Sequence, residues 1–332
     1  MSLAYTIATR SHEKIHVSCA SCISWTFLYS LMPLKSRFLL VAAATLFLLL
    51  SSAHAQDSLR EYPAGYVTPF TVDSGTTVRK VLAGGIVGGL FLGSLVDSYF
   101  AWWQVRGGDF LFHEEGWFGE ENIGIDKLGH FFTSYMYFHT FYDMLRWGGF
   151  DHGTAYWTSA GVTFTFALLV EIGDGTTTLG FDYQDLVFNS AGMLYAMLQK
   201  DVPFLNNFRF KWSYVPYESY RFPPRFTEHY DAHTYWLAVN VNNLLPASLE
   251  PYWPDPLQIA VGWSVRDHFT PWHFALGKPE FVVGLDLDLG VWPFRQRELH
   301  LAQRIVNHYH FPMPAVKFSE HRPPDWRLLY QQ

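Results

Sequence analysis

Long apolar runs separated by short polar turns dominate the first half of the chain after residue 78. They predict four helices, at 79–104, 125–147, 154–172 and 183–200. The first run carries five glycines, which let helices approach closely in an apolar setting but cost about 1 kcal/mol each in water. Four helices with short connections predict a bundle.

The pattern changes from about residue 206, where Pro, Tyr, Trp and Arg become frequent and helical periodicity fades. Apolar and polar residues alternate over 258–266 and again over 281–291, which is typical of half-buried strands. The two strands are expected to pair across the intervening loop. We therefore expect a mainly α protein, a membrane-associated four-helix bundle with a C-terminal extension containing a small antiparallel β-element.

The N-terminal region has the pattern of a secretory signal that begins inside the chain. Lys35 and Arg37 precede an uncharged apolar run, and the small-residue site Ala53-His54-Ala55 follows it. Cleavage is expected after Ala55, and a membrane anchor is the alternative. This gives a mis-annotated leader at 1–31, a signal peptide at 32–55, an extended lead-in at 56–78, the helical region at 79–205 and an aromatic, proline-rich C-terminal region at 206–332.

Composition and charge restrict the classes of partner that the protein can bind. Without residues 1–55, the chain has 19 basic and 29 acidic side chains, a net charge of about −10 that argues against nucleic acid. The whole chain is 18% aromatic and 16% charged, against about 25% charged in a typical soluble domain. These values favour a membrane partner. Both cysteines, Cys19 and Cys22, lie in the leader, so no disulfide and no lipid-bearing cysteine is expected after cleavage.

Ionisable residues gather near the ends of three consecutive predicted helices. Asp126 and His130 lie one turn apart on the second helix, Glu171 ends the third, and Asp185 and Asn189 share a face of the fourth. A carboxylate beside an apolar run is costly unless it is paired or used. We expect these five side chains to converge as a candidate site.

Simpler roles stay open for each member. Asp126 could complement the helix dipole, Lys127 could extend to the membrane interface, and Asp182 could cap the fourth helix. His130 could be a core histidine bonded to Asp126, and Asn189 could only bridge helices. Glu171 and the nearby Asp174 could be solvated loop carboxylates.

Two kinds of chemistry fit if the cluster is functional. His130, Glu171 and Asp185 could hold a divalent metal, although their spacing matches no standard zinc signature. Alternatively, His130 oriented by Asp126 could act as a general base, with Ser134 one turn further along as a nucleophile. No G-x-S-x-G turn surrounds Ser134.

The same residues carry a family resemblance. The motifs D-K-L-G-H at 126–130, E-I-x-D-G at 171–175 and G-F-D-x-x-D-L-x-x-N-x-x-G at 180–192 resemble the YfiM-like family of predicted bacterial envelope lipoproteins. A more distant similarity runs to the VanZ-like membrane proteins. The resemblance implies an envelope protein with a polar site between helices and no established activity.

We therefore expect an exported cell-envelope protein, membrane-associated or periplasmic, in which the polar cluster has a structural or ligand-binding role. The ligand would be a small molecule or a lipid. An envelope hydrolase or transferase acting on a lipid or cell-wall component, with or without a metal, is the alternative.

Overall fold

Helix α2 (Ile125–Gly148) packs against the four other α-helices that the structure describes and against the first three strands of the C-terminal sheet. The computed structural model describes residues 77–104, 108–114, 116–117, 123–215, 230–266, 269–270, 273–274, 277–292, 294 and 296–330. The predicted leader, signal peptide and nearly all of the lead-in lie outside these residues. The other predicted domain boundaries stay predictions.

Four long helices occur at the predicted places. Besides α2 they are α1 (Thr77–Ser98, continued by a π-helical turn to Trp103), α3 (His152–Gly175) and α4 (Tyr183–Asp201). Their starts follow the local sequence, since the side chains of Asp151 and Asp182 cap α3 and α4 by accepting backbone N–H groups. A short fifth helix, α5 (Arg297–Val306), lies between strands late in the chain.

The C-terminal region forms a six-stranded antiparallel sheet in the order β1-β2-β3-β6-β7-β8. The strands are β1 (Phe208–Tyr214), β2 (His233–Asn240), β3 (Leu257–Arg266), β6 (Lys278–Leu287), β7 (Met313–Ser319) and β8 (Asp325–Tyr330). A two-stranded ribbon of β4 (Phe269–Thr270) and β5 (His273–Phe274) lies between β3 and β6. The predicted pairing of 258–266 with 281–291 is present as β3 and β6, although β6 ends at Leu287 and Leu289–Val291 form a 3-10 turn.

The sheet curls, and the segment that leads into β7 passes along the edge of β1. Residues 308–310 run alongside β1, with a parallel bridge between Trp212 and Tyr309, and then continue into β7. The enclosed side of the sheet packs around Trp236, which stacks on His310 with ring centroids 3.8 Å apart. The same apolar core includes Ala238, Ala260, Val282, Ala315 and Tyr330.

The prediction of a mainly α four-helix bundle with a small β-element is wrong, because a large sheet is part of the fold and α2 packs on it. The Phe132 ring lies 5.8 Å from that of Tyr235, and Phe131 lies 4.6 Å from Phe210. The other strands were not predicted because their sequences lack a clear alternation of apolar and polar residues. Strand β2 places apolar residues on both sides, and β7 contains Pro314.

Candidate functional site

Three helix ends meet around the N-terminal turn of α2. This helix starts after Gly124, whose positive φ of 73° turns the chain into the helix. Helices α2 and α4 lie so close at Gly192 that an added Cβ would overlap the backbone carbonyl of Phe131. The start of α4 and the last turn of α3 therefore face the first two turns of α2.

Lys127 is almost fully enclosed, with only 1% of its surface exposed. Its Nζ donates to Asp182 Oδ2 at 2.9 Å and to Asp185 Oδ1 at 2.5 Å, and lies 3.4 Å from Asp126 Oδ2. The ammonium group thus pairs with three carboxylates, one from α2 and two from the start of α4. Lys127 therefore does not extend to a membrane interface.

His130 stands between the remaining oxygens of two of these carboxylates. Its Nε2 lies 3.6 Å from Asp126 Oδ1 and 3.6 Å from Asp185 Oδ2. Each carboxylate therefore offers one oxygen to Lys127 and the other to His130. The imidazole side chain is 20% exposed and so keeps a route to solvent.

The other nitrogen of His130 faces a different pair of groups. Asn189 Nδ2 lies 3.0 Å from Nδ1, and Glu171 Oε1 lies 3.6 Å from it. Ser134 donates its hydroxyl proton to Asn189 Oδ1 at 2.8 Å and so fixes the amide. Glu171 is 1% exposed and is not a solvated loop carboxylate.

The cluster shifts the pKa values of its members strongly. Burial opposes the charged imidazolium, yet the carboxylates of Asp185, Asp126 and Glu171 outweigh it and raise the pKa of His130 to about 9. Burial raises the pKa of Glu171 to about 8 and that of Asp185 to about 7. Asp126 is also buried, but His130 and Lys127 hold its pKa below the usual value.

Two sets of contacts in the surrounding shell were not predicted from the sequence. Tyr230, which lies far away in sequence just before β2, donates its hydroxyl proton to Asp126 Oδ1 at 2.6 Å. Asp174 accepts indole N–H bonds from Trp102 at 2.6 Å and Trp103 at 2.7 Å. The Trp-Trp pair after α1 was a visible signal, because half-buried indole N–H groups usually find an acceptor.

The structure thus brings all five predicted residues, Asp126, His130, Glu171, Asp185 and Asn189, into one cluster. Their catalytic or binding role stays a prediction. Three of them, Asp126, His130 and Asp185, offer one ligand atom each with all three atoms within 4.8 Å of one another. Glu171, which the sequence-based metal set included, faces the opposite nitrogen of His130.

Comparison with known proteins identifies the family of the segment that carries this cluster. Residues 114–201 match the model of a family described as predicted periplasmic lipoproteins (DUF2279). The match confirms the resemblance drawn from the three motifs, and it covers α2, α3 and α4. The family description also confirms the predicted localisation, an exported protein of the cell envelope. No curated protein and no solved structure matches the chain, and the similarity to VanZ-like proteins gains no support.

Proposed function

We propose that this membrane-associated protein of the cell envelope binds a divalent cation through Asp126, His130 and Asp185. One observation carries the proposal, namely that Nε2 of His130 lies at the same 3.6 Å from a carboxylate oxygen of Asp126 and of Asp185. Ligands bound at about 2.1 Å in a tetrahedron are about 3.4 Å apart, so a small shift would let all three reach one ion.

The groups behind His130 support this assignment. A histidine that ligates through Nε2 carries its proton on Nδ1 and usually donates it to a carboxylate or an amide oxygen. Glu171 Oε1 lies 3.6 Å from Nδ1 and is the carboxylate that would accept this proton. Lys127 lowers the mutual repulsion of Asp126 and Asp185, which favours a stable arrangement before the ion binds.

Exposed apolar helix surfaces support membrane association. Among the described residues, two helices are long and apolar enough to cross a membrane, Thr77–Trp103 with mean hydropathy 1.7 and His152–Gly175 with 1.2. Only 17% of the apolar window of the first is buried within the protein. An apolar groove of about 420 Å³, lined by residues that include Val87, Phe91 and Val162, lies between the two helices. Such surfaces favour contact with lipid.

A hydrolase or transferase is the alternative. Ser134 is a weak candidate nucleophile, because its hydroxyl is buried and donates to Asn189 rather than to His130. A hydrolytic role would therefore depend on water activated by the bound cation or by His130.

The test is direct metal binding by the purified full chain in detergent. Equilibrium titration with Zn²⁺ and with Mn²⁺, and metal analysis after dialysis, should give one ion per chain. Asp126→Asn and Asp185→Asn each remove a ligand charge, so we expect at least about 10-fold weaker binding.

Asp174→Asn is the matched control, because this carboxylate lies in the same region but is held by Trp102 and Trp103. It should leave the affinity within about threefold of wild type. Absence of stoichiometric binding, or equal loss in the control, would refute the cation site.

A further inference from the structure

The six-stranded sheet carries many polar residues on its enclosed side, interleaved with the small apolar core around Trp236. Its enclosed side carries charged and polar side chains that are 0–2% exposed: Lys211, Thr234, Gln258, Ser264, Glu280 and Asp286. Lys211 Nζ pairs with Asp286 Oδ2 at 2.6 Å, and Glu280 pairs with Lys317 at 2.9 Å. A sheet of a water-facing protein normally places such residues outside and apolar residues inside.

The opposite side, called the outer face here, is apolar in three consecutive rows set by the strand register. One row is aromatic across five strands: Trp212, Tyr235, Trp263, Phe281 and Phe318. The next row contains Phe210, Leu237, Val261, Val283 and Val316. The third contains Phe208, Val239, Ile259 and Leu285. No charged side chain interrupts these rows.

Helix α2 covers the outer face at β1 and β2 and reaches β3, where the Trp263 indole N–H donates to the backbone carbonyl of Ile123, just before the helix, at 3.0 Å. Phe132 and Phe131 pack there against Trp212, Tyr235 and Phe210. Toward β8, among the described residues, the apolar side chains become exposed. Phe281 is 40% exposed, Phe318 44% and Trp326 78%.

We infer that the outer face of β3, β6, β7 and β8 contacts the acyl chains of a membrane. A row of aromatic residues beside aliphatic rows is the distribution found where a lipid-facing strand crosses from headgroups into hydrocarbon. Strands β3 and β6 have ten residues each, the length of lipid-exposed strands. The absence of charge in the three rows gives a soluble protein partner nothing to recognise electrostatically.

This inference does not rest on the cation site and can fail or hold independently of it. Site-specific fluorophore labelling of the full chain tests the inference. The two cysteines of the sequence are first removed by Cys19→Ser and Cys22→Ser, so that only an introduced cysteine is labelled. Bimane would be attached at Val283→Cys, on the outer face, and separately at Glu320→Cys, in the turn after β7. Each variant is reconstituted in phosphatidylethanolamine–phosphatidylglycerol vesicles that contain lipids spin-labelled on the acyl chain.

We expect the spin-labelled lipid to quench bimane at position 283 at least about threefold more than at position 320, and aqueous iodide to show the reverse order. Both variants change one side chain to a small cysteine, and retained binding of the vesicles shows that they fold. Equal iodide quenching at the two positions would overturn the inference. Protection of position 283 from both quenchers, together with disulfide cross-linking of two chains in the unlabelled Val283→Cys variant, would show a second copy instead and would also overturn it.

Discussion

At the residue scale, Lys127 explains how several acids coexist in a buried cluster. One ammonium group contacts Asp126, Asp182 and Asp185, and each of these carboxylates has a second partner. Tyr230 bonds to Asp126, the N–H of Gln184 bonds to Asp182, and His130 faces Asp185. A buried charge network of this kind is costly to break at a single member.

Lys127→Met should therefore destabilise the protein strongly. Its removal leaves three buried carboxylates without their shared cation, and we expect a loss of about 3–5 kcal/mol in the free energy of unfolding. Thermal and urea unfolding in detergent measure it. Lys80→Met, at an exposed lysine of α1, is the control and should change little.

The double change Lys127→Met with Asp185→Asn tests the cause of that loss. Removing one carboxylate with the lysine should recover part of the stability, since fewer buried charges are left unpaired. A double variant as unstable as the sum of the two single variants would contradict the shared-cation explanation.

At the element scale, the position of α4 against α2 determines where Asp185 and Asn189 lie. Gly192 makes this possible, because the two helix backbones are closest at this residue and at Phe131. Glycine here serves a close approach, whereas Gly161 on α3 has open space around it.

Gly192→Ala should force the helices apart, destabilise the protein by about 1–3 kcal/mol and weaken cation binding. Gly161→Ala is the matched control, a glycine-to-alanine change within a helix that meets no neighbouring atom. It should be neutral or stabilise by up to about 1 kcal/mol. Unfolding and Zn²⁺ titration of both variants measure the effects, and similar values for the two would contradict the close-packing argument.

The helices and the residues of the cluster could be predicted from the sequence because each rests on a local pattern. Apolar runs and capping aspartates give the limits of α2, α3 and α4 to within a few residues. The sheet could not be predicted in full, since β1 and β2 meet partners only through long-range pairing. The contact of Tyr230 with Asp126 likewise joins residues with no local relation, and the burial of Lys127 follows only from the packing of three helices.

At the scale of the whole molecule, buried histidines of the C-terminal region link stability to pH. Burial lowers the pKa of His308 and of His310 from the usual 6.5 to about 4. Below pH 6.5 the unfolded chain takes up protons that the folded protein does not bind until about pH 4. Each histidine therefore contributes stability above pH 6.5 that is lost as the pH falls toward 4.

His310→Phe isolates one of these contributions, because phenylalanine can keep the stacking on Trp236 and does not titrate. As the pH falls from 6.5 to 4, the variant should gain about 1.4 kcal/mol per pH unit relative to wild type. Urea unfolding at several pH values in this range measures the difference. If the difference in unfolding free energy between the variant and wild type does not change with pH, His310 has the same pKa in the folded and unfolded states.

The bridge between Trp212 and Tyr309 has a consequence for the order of assembly. Strand β1 emerges from an export channel about a hundred residues before the segment that covers its edge. Until that segment arrives, the N–H and C=O groups along the open edge can pair with any other extended chain. Folding is also slower when segments that are distant in sequence, such as these two, must pair. The newly exported protein is thus most prone to aggregation in the interval before its last strands are delivered, when a chaperone of the envelope would be of greatest use to it.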